Sequence, residues 1–185
     1  AINYAIDREK MMKFLRKNIG YPAVSGLVPN GLNNDFYSDR YFKNTELANK
    51  YLNEYKKIND IDNISLDLTT DAQYLDILEF IQSELKSLGI DLKINITPPS
   101  ILRQGNATGK FNIFRASWIA DYANPENYFS LFYSKNHTPY GPNYTFFQNE
   151  EYDKLYEQTL SVNKNDELNK MYEKLEELIN EFSPI

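Results

Sequence analysis

The sequence contains no cysteine and a single histidine, His137. The absence of cysteine excludes disulfides, thiolate nucleophiles and cysteine-based metal sites, although it does not fix the redox compartment. A zinc site needs several nitrogen or sulfur ligands, and one histidine in a polar loop argues against such a site. We therefore expect a protein that holds neither a metal ion nor another cofactor.

Long runs of basic or of apolar residues are also missing. No basic run exceeds two residues and the formal net charge is −6, so we expect neither nucleic acid nor an anionic membrane as a partner. No apolar run approaches the roughly 18–20 residues of a membrane span. The 185 residues are 42% hydrophobic and 15% aromatic, which is enough for one large domain or one lobe of a larger protein.

The clearest structural unit lies between residues 64 and 96. Apolar residues alternate with polar ones over 64–68 and again over 92–96, which predicts two strands. Between them, a capping box at 70–73 begins an amphipathic helix that Gly89 ends. A strand, a helix and a strand joined by short links predict a βαβ crossover with parallel strands, and hence the α/β fold class.

The rest of the chain is predicted to be mostly helical. Asp7 is a candidate N-cap within a helical region over 1–17, and Asn44 begins a helix to about residue 57. A long loop is expected over 20–39 and a short strand over 144–147. Further helices are expected over 100–107, 150–160 and 166–182, with the charged face of the last one (Glu173, Lys174, Glu176 and Glu177) in solvent.

Residues 111–132 carry the strongest indication of a site. A mostly apolar run over 111–117 predicts a central strand buried on both faces, and Asn124-Pro125 then restarts the chain as a helix over 125–132. Arg115, the only tryptophan (Trp118) and Asp121 thus lie at the carboxyl end of a strand, where open α/β sheets bind ligands. The alternative is a tryptophan in the core and an aspartate that forms a turn. Charges near the interior of a sheet need partners, which favours the site.

The same residues resemble a known family. R-A-S-W-I-A-D-Y-A-N-P-E-N-Y-F, at 115–129, is similar to the signature of the extracellular solute-binding proteins of family 5, the dipeptide and oligopeptide receptors of ATP-driven importers. Further resemblances follow in the family's order over nearly the whole chain: A-I-N-Y-A-I-D-R-E-K at 1–10, S-G-L-V-P-N-G at 25–31, E-L-A-N-K-Y-L-N-E-Y at 46–55 and N-Y-T-F-F-Q-N-E-E-Y-D-K-L at 143–155.

The resemblance implies a lobe of the type II periplasmic-binding-protein fold, with a mixed or parallel sheet flanked by helices. It also implies that 1–185 is the carboxyl-terminal ligand-binding lobe of a longer, two-lobed receptor that works with permease subunits. Such a receptor is periplasmic or extracellular, and we expect it to be anchored to the membrane as a lipoprotein.

A receptor that accepts many peptides must bind what all peptides share, which is the two charged termini and the backbone. By resemblance, Asp121 holds the ligand's ammonium and Arg115 reaches the carboxylate of short ligands. Trp118 would form the wall of a side-chain pocket, and Ser117 stands where glycine is frequent in the family. The expected ligand contacts are Arg115, Ser117, Trp118, Ile119, Ala120, Asp121 and Asn143.

Three other functions stay open from the sequence. The same fold could bind another solute, such as a nickel chelate, haem, an oligosaccharide or an opine, and a tryptophan among fifteen tyrosines suits sugar stacking. A carbohydrate-active enzyme could use two of the many carboxylates, but the sequence offers no nucleophile–base spacing and no metal or phosphate motif. A purely structural lobe is the third alternative.

Overall fold

Three strands form one parallel sheet in the computed structural model, which describes residues 1–24, 26–29, 31–32 and 41–185. The strands are β1 (Ile64–Thr70), β2 (Ile90–Ile96) and β3 (Ile113–Phe114). The helices are α1 (Ile2–Ala5), α2 (Arg8–Leu15), α3 (Thr45–Asn59), α4 (Leu75–Ser87), α5 (Pro99–Ala107), α6 (Glu126–Phe129), α7 (Glu150–Thr159) and α8 (Asn165–Phe182).

The described residues group into two compact units, each formed from three separate segments of the chain. The first unit comprises Ala1–Val24, Asp39–Gln104 and Phe111–Arg115. The second comprises Ser25–Ser38, Gly105–Lys110 and Ala116–Ile185. The sequence predicted a single α/β lobe over 1–185, and that assignment of the domain stays a prediction.

The first unit is built on the predicted βαβ crossover. β1 pairs in parallel with β2, with Ile64 opposite Ile90, and α4 connects the two strands. The alternation buries Ile90 and Leu92 while their polar neighbours face solvent. The core of this unit consists of Ala5, Ala48, Leu52, Leu85, Ile90 and Leu92.

The strand predicted over 111–117 is shorter and less central than the sequence indicated. β3 has only two residues, both half-buried, and it pairs with β1 at Leu68 and Thr69. The strand order is β2-β1-β3, so β1 is the central strand and β3 lies at an edge. Because both residues of β3 are only half-buried, the apolar run does not reflect full burial on both faces.

Caps fix several helix starts where side-chain oxygens meet free N–H groups. Asp7 accepts from the N–H of Lys10 and begins α2, and Asn44 accepts from Leu47 and begins α3, as predicted. The predicted capping box needs a correction, because Thr70 is the last residue of β1. Asp71 caps instead, accepting from the N–H of Gln73 at a short 3-10 turn that leads into α4.

The second unit packs around α7 and α8. Its core consists of Val28, Phe129, Phe132, Tyr152, Tyr156, Tyr172, Leu175, Leu178 and Ile179. Tyr152 is fully buried and donates its hydroxyl to the carbonyl of Phe129, 2.7 Å away. The strand predicted over 144–147 is absent from this described segment, where Phe146 adopts a positive φ of 53° that interrupts an extended chain.

The long loop predicted over 20–39 lies partly outside the described residues. Where it is described, it contacts α8 through Glu176, which the sequence placed in solvent. Glu176 is only 4% exposed and accepts a hydrogen bond from the N–H of Leu27. Gly26, with φ of +145°, allows this approach, because a Cβ there would come within 2.8 Å of the Glu176 Cδ.

Candidate functional site

Arg115 follows β3 in the first unit and is fixed there by its backbone and its side chain. Its N–H donates to the carbonyl of Thr69 at 3.0 Å, which extends the pairing with β1 by one residue. Its half-buried guanidinium lies over the ring of Tyr74, with Cζ 3.2 Å from the ring centroid. Cation–π stacking occupies the planar face of the guanidinium, while its N–H groups point outward in the plane of the fork. That geometry suits a carboxylate approaching edge-on.

The segment from Trp118 to Asp121 belongs to the second unit and is held by one buried amide. The side-chain oxygen of Asn127 accepts from the Trp118 indole Nε1 at 2.7 Å and from the Asp121 backbone N at 3.2 Å. Asn127 itself is 4% exposed. A single acceptor thus fixes both the indole and the backbone turn that ends in the aspartate.

The local sequence explains why Asn127 occupies this position. Pro125 precedes α6 and has φ of −53°, close to the value that a helix start requires. Asn124 accepts from the N–H of Glu126 at 2.9 Å, which satisfies a free donor of the first turn. Phe129 on the same helix is fully buried in the core and anchors it.

Tyrosine hydroxyls surround the start of α6. Tyr122 and Tyr156 both donate to the carboxylate of Glu126, and Tyr172 donates to the side-chain oxygen of Asn124 at 3.1 Å. Burial raises the pKa of Tyr172 to about 12. Burial and the hydrogen bond to Glu126 raise the pKa of Tyr156 as well, so these hydroxyls stay protonated donors at neutral pH.

The predicted contact residues differ widely in exposure. Asp121 and Ser117 are exposed, and Ile119 is 87% exposed. Trp118 and Ala120 are half-buried. The expectation that Asp121 lies near the interior of a sheet is wrong, because the chain has left the sheet after Arg115 and the carboxylate faces solvent.

The side chain of Asn143 is buried and forms hydrogen bonds within its own loop. Its side-chain nitrogen donates to the carbonyls of Tyr133 and Phe147 at 3.1 and 3.0 Å, and its oxygen accepts from Thr145. Because Asn143 has no exposed surface, any effect on a ligand must pass through the loop that it holds.

Over the described ranges, no group of three or more acidic, histidine or cysteine side chains could hold a metal ion. No helix in the same ranges has the length and apolar character that crossing a membrane demands.

Comparison with known proteins identifies the family. The model for bacterial extracellular solute-binding proteins, family 5 Middle, matches residues 1–140. The chain belongs to this family. Family 5 is a family of solute-binding proteins, so the resemblance seen in the sequence and the periplasmic or extracellular setting of the family are confirmed.

Two curated relatives of this chain carry peptide-binding names. The chain is 26% identical to the oligopeptide-binding protein OppA of Bacillus subtilis over 86% of its length, covering 30% of that protein. It is 29% identical to the dipeptide-binding protein DppE of the same organism over 98% of its length, covering 35% of that protein. The chain therefore spans about a third of the length of the curated relatives that it matches.

Solved structures of similar proteins confirm the fold class. The oligopeptide-binding protein AppA from Bacillus subtilis, in complex with a nonapeptide, superposes with a TM-score of 0.83 at 26% identity, over 99% of this chain and 39% of that one. The open murein tripeptide-binding protein MppA superposes with a TM-score of 0.87 at 23% identity, over 99% of this chain and 36% of that one. The fold is that of a lobe of type II periplasmic binding proteins.

Two residues that support the candidate site were not predicted from the sequence. Asn127 lies in the short helix α6 just after the turn, where an asparagine is ordinary, and only its hydrogen bond to the Trp118 indole shows its role. Tyr74 stands 41 positions before Arg115, and nothing in the sequence pairs the two. The N-P-E-N pattern at 124–127 was visible but indicated only a helix start.

Proposed function

We propose that this chain is the ligand-binding lobe of the substrate-binding component of an ATP-driven importer. Its solute is a di- or oligopeptide, held in a cleft between this lobe and an amino-terminal lobe of the same protein. Membership of family 5 and the peptide-binding names of the relatives support the proposal. Its further partners are the permease subunits, and its place is the outer face of the membrane, with a lipoprotein anchor.

The exposed carboxylate of Asp121 is the observation that carries the proposal. Among the residues that the structure describes, no lysine or arginine forms an ion pair with it, although its backbone is tied to Asn127. A fixed backbone and an uncommitted acidic group suit an anchor for a peptide's ammonium. Closure of a second lobe would remove water from the pair and strengthen it.

The other contacts supply complementary chemistry. Arg115, stacked on Tyr74, offers its N–H fork to a carboxylate. Half-buried Trp118 provides an apolar wall with a fixed indole, and Ile119 and Ala120 offer backbone groups to the backbone of a peptide. Ser117, which is exposed, limits how closely that backbone approaches.

This assignment makes the protein a receptor without catalytic activity. The carboxylate of Glu126 lies close to the segment, but it receives the hydroxyls of Tyr122 and Tyr156. These two hydrogen bonds engage both oxygens of the carboxylate within the protein. The proposal therefore assigns Glu126 to the support of α6.

The test is Asp121→Asn in the complete two-lobed receptor, with isothermal titration calorimetry of di- and tripeptides. Truncating one partner of a desolvated charge pair costs roughly 2–5 kcal/mol, so peptide affinity should fall by at least about tenfold. Asp166→Asn makes the same change of charge at an exposed position of α8 and should leave affinity unchanged.

N-acetylated peptides complete the test, because they lack the ammonium. They should bind poorly to the wild-type receptor. Equal affinity for free and acetylated peptides would refute the role of Asp121. Tight binding of an oligosaccharide, a nickel chelate or haem, with no binding of peptides, would refute the peptide assignment itself.

A further inference from the structure

We propose that Asn127 is a positioning residue that sets the preference of this site for ligands with a free amino group. It does so by fixing the Trp118 indole and the Asp121 backbone through one shared acceptor. This inference rests on the proposed function, because it concerns how that site is held in shape.

The shared acceptor couples the two groups that would touch the ligand. The Asn127 oxygen lies 2.7 Å from the indole Nε1 and 3.2 Å from the Asp121 N. Both donors converge on one atom, so the indole and the aspartate backbone cannot move independently without losing a hydrogen bond. The distance between the apolar wall and the carboxylate is thereby limited.

The position of the acceptor is set by the core and not by the segment that it holds. Asn127 lies in α6, and its own backbone N–H donates to the Asn124 carbonyl while its carbonyl accepts from Ser130 Oγ at 2.9 Å. Phe129, two residues on, is fully buried and stacks on Tyr172 at 5.2 Å between ring centroids. The buried helix therefore supplies a rigid reference point.

The segment has little regular structure of its own to replace this support. Residues 115–120 form neither helix nor strand, and Ile119 is largely exposed. Without the acceptor, two N–H donors lose a buried partner, which favours other arrangements of the segment. The carboxylate of Asp121 would then spread over several positions, and the ammonium of a ligand would lose its fixed partner.

The experiment compares Asn127→Leu and Asn127→Asp in the complete receptor. Leucine keeps the approximate size and removes the acceptor, whereas aspartate keeps an oxygen at the same place. The first readout is the Trp118 indole ¹⁵N–¹H resonance of the ligand-free protein, assigned by its loss in Trp118→Phe. The second is the ratio of affinities for a free and an N-acetylated tripeptide.

Asn127→Leu should shift the indole resonance upfield and reduce the preference for the free amine by about tenfold. Asn127→Asp should keep the resonance near its wild-type position and retain most of the preference. Asn149→Ala is the matched control, because Asn149 caps α7 through the N–H of Tyr152 in the same unit. It should lower the melting temperature and leave both readouts unchanged.

Two results would overturn the inference: an unmoved indole resonance in Asn127→Leu, or an unchanged preference despite a moved resonance. If Asn127→Leu does not fold, Asn127→Ser is used in its place, since its hydroxyl is too short to reach both donors, and the same two results decide. A wild-type receptor without any preference would instead be a failure of the proposed function, and the ligand-free resonance keeps the two failures apart.

Discussion

Gly26→Ala tests the unexpected burial of Glu176. In the structure, the loop at Gly26 and Leu27 lies against the Glu176 carboxylate, which accepts the N–H of Leu27. An added Cβ at Gly26 would lie within 2.8 Å of the Glu176 Cδ and would overlap the carboxylate. Since Glu176 is 4% exposed, its side chain has little free space into which to retreat.

The expected loss of stability in Gly26→Ala has two contributions, backbone strain and steric overlap. A residue with a Cβ is strained at the φ of +145° found at Gly26, at a cost of about 1–3 kcal/mol. Overpacking against a buried group adds about 1–3 kcal/mol. A substitution at Gly31 separates backbone strain from overlap, because φ at Gly31 is +95° and nothing lies within 4 Å of a Cβ placed there. Gly31→Ala should therefore show the backbone strain without the overlap.

Urea unfolding followed by Trp118 fluorescence measures both variants, since Trp118 belongs to the same unit as Gly26. With a slope of about 2 kcal/mol per molar urea, an overlap that costs about 2 kcal/mol lowers the midpoint of Gly26→Ala about 1 M below that of Gly31→Ala. In a Glu176→Ala background this extra loss should disappear. Equal midpoints for the two glycine variants, or strict additivity with Glu176→Ala, would show that the carboxylate does not occupy the space described.

Two further predictions follow. This 185-residue chain alone should fold, because the βαβ unit and the core around α7 and α8 lie within it, but it should bind peptides only weakly. Exposed ion pairs contribute about 0–1 kcal/mol each, which does not offset the immobilisation of a peptide; micromolar binding in calorimetry would contradict the shared-cleft argument. The second prediction concerns alkaline pH. Burial raises the pKa of Tyr172 from its ordinary value near 10 to about 12, so its contribution to stability is complete below pH 10 and is lost as the pH rises through 12. The phenolate absorbance of the folded chain should thus lag behind that of a urea-unfolded sample between pH 10 and 12, and coincident titrations would contradict the burial of this hydroxyl.

The sequence predicted the elements that depend on local pattern. The alternation over 64–68 and 92–96, the caps at Asp7 and Asn44, and the stripe of α8 all correspond to observed elements. These signals need only neighbouring residues, because pleat, helical period and capping are local.

The sequence did not predict the features that depend on contacts between residues far apart in the chain. Glu176 follows a charged helical pattern that is typical of solvent exposure, yet a loop about 150 residues earlier covers it. β3 pairs with only two of the seven residues of β1, and the apolar run does not reveal this.

The candidate site residues come from the sequence, whereas the contacts that support them come from the structure. Trp118, Asp121 and Arg115 were singled out from their place after a strand, and the family resemblance gave them roles. Their supports, Asn127 and Tyr74, could not be found because hydrogen bonding and stacking across the fold leave no spacing rule in the sequence. Whether these groups bind a ligand together stays a prediction.

The place of Val28 in the second core has a consequence for synthesis on the ribosome. Val28 is 1% exposed and packs in the same cluster as Leu175 and Ile179, which are made about 150 residues later. At typical elongation rates, roughly 8–30 seconds pass between the two ends of this cluster. Within that interval the βαβ crossover is completed, while the cluster around Val28 still lacks Leu175 and Ile179. The nascent chain therefore carries an incompletely packed apolar segment around Val28 until α8 emerges.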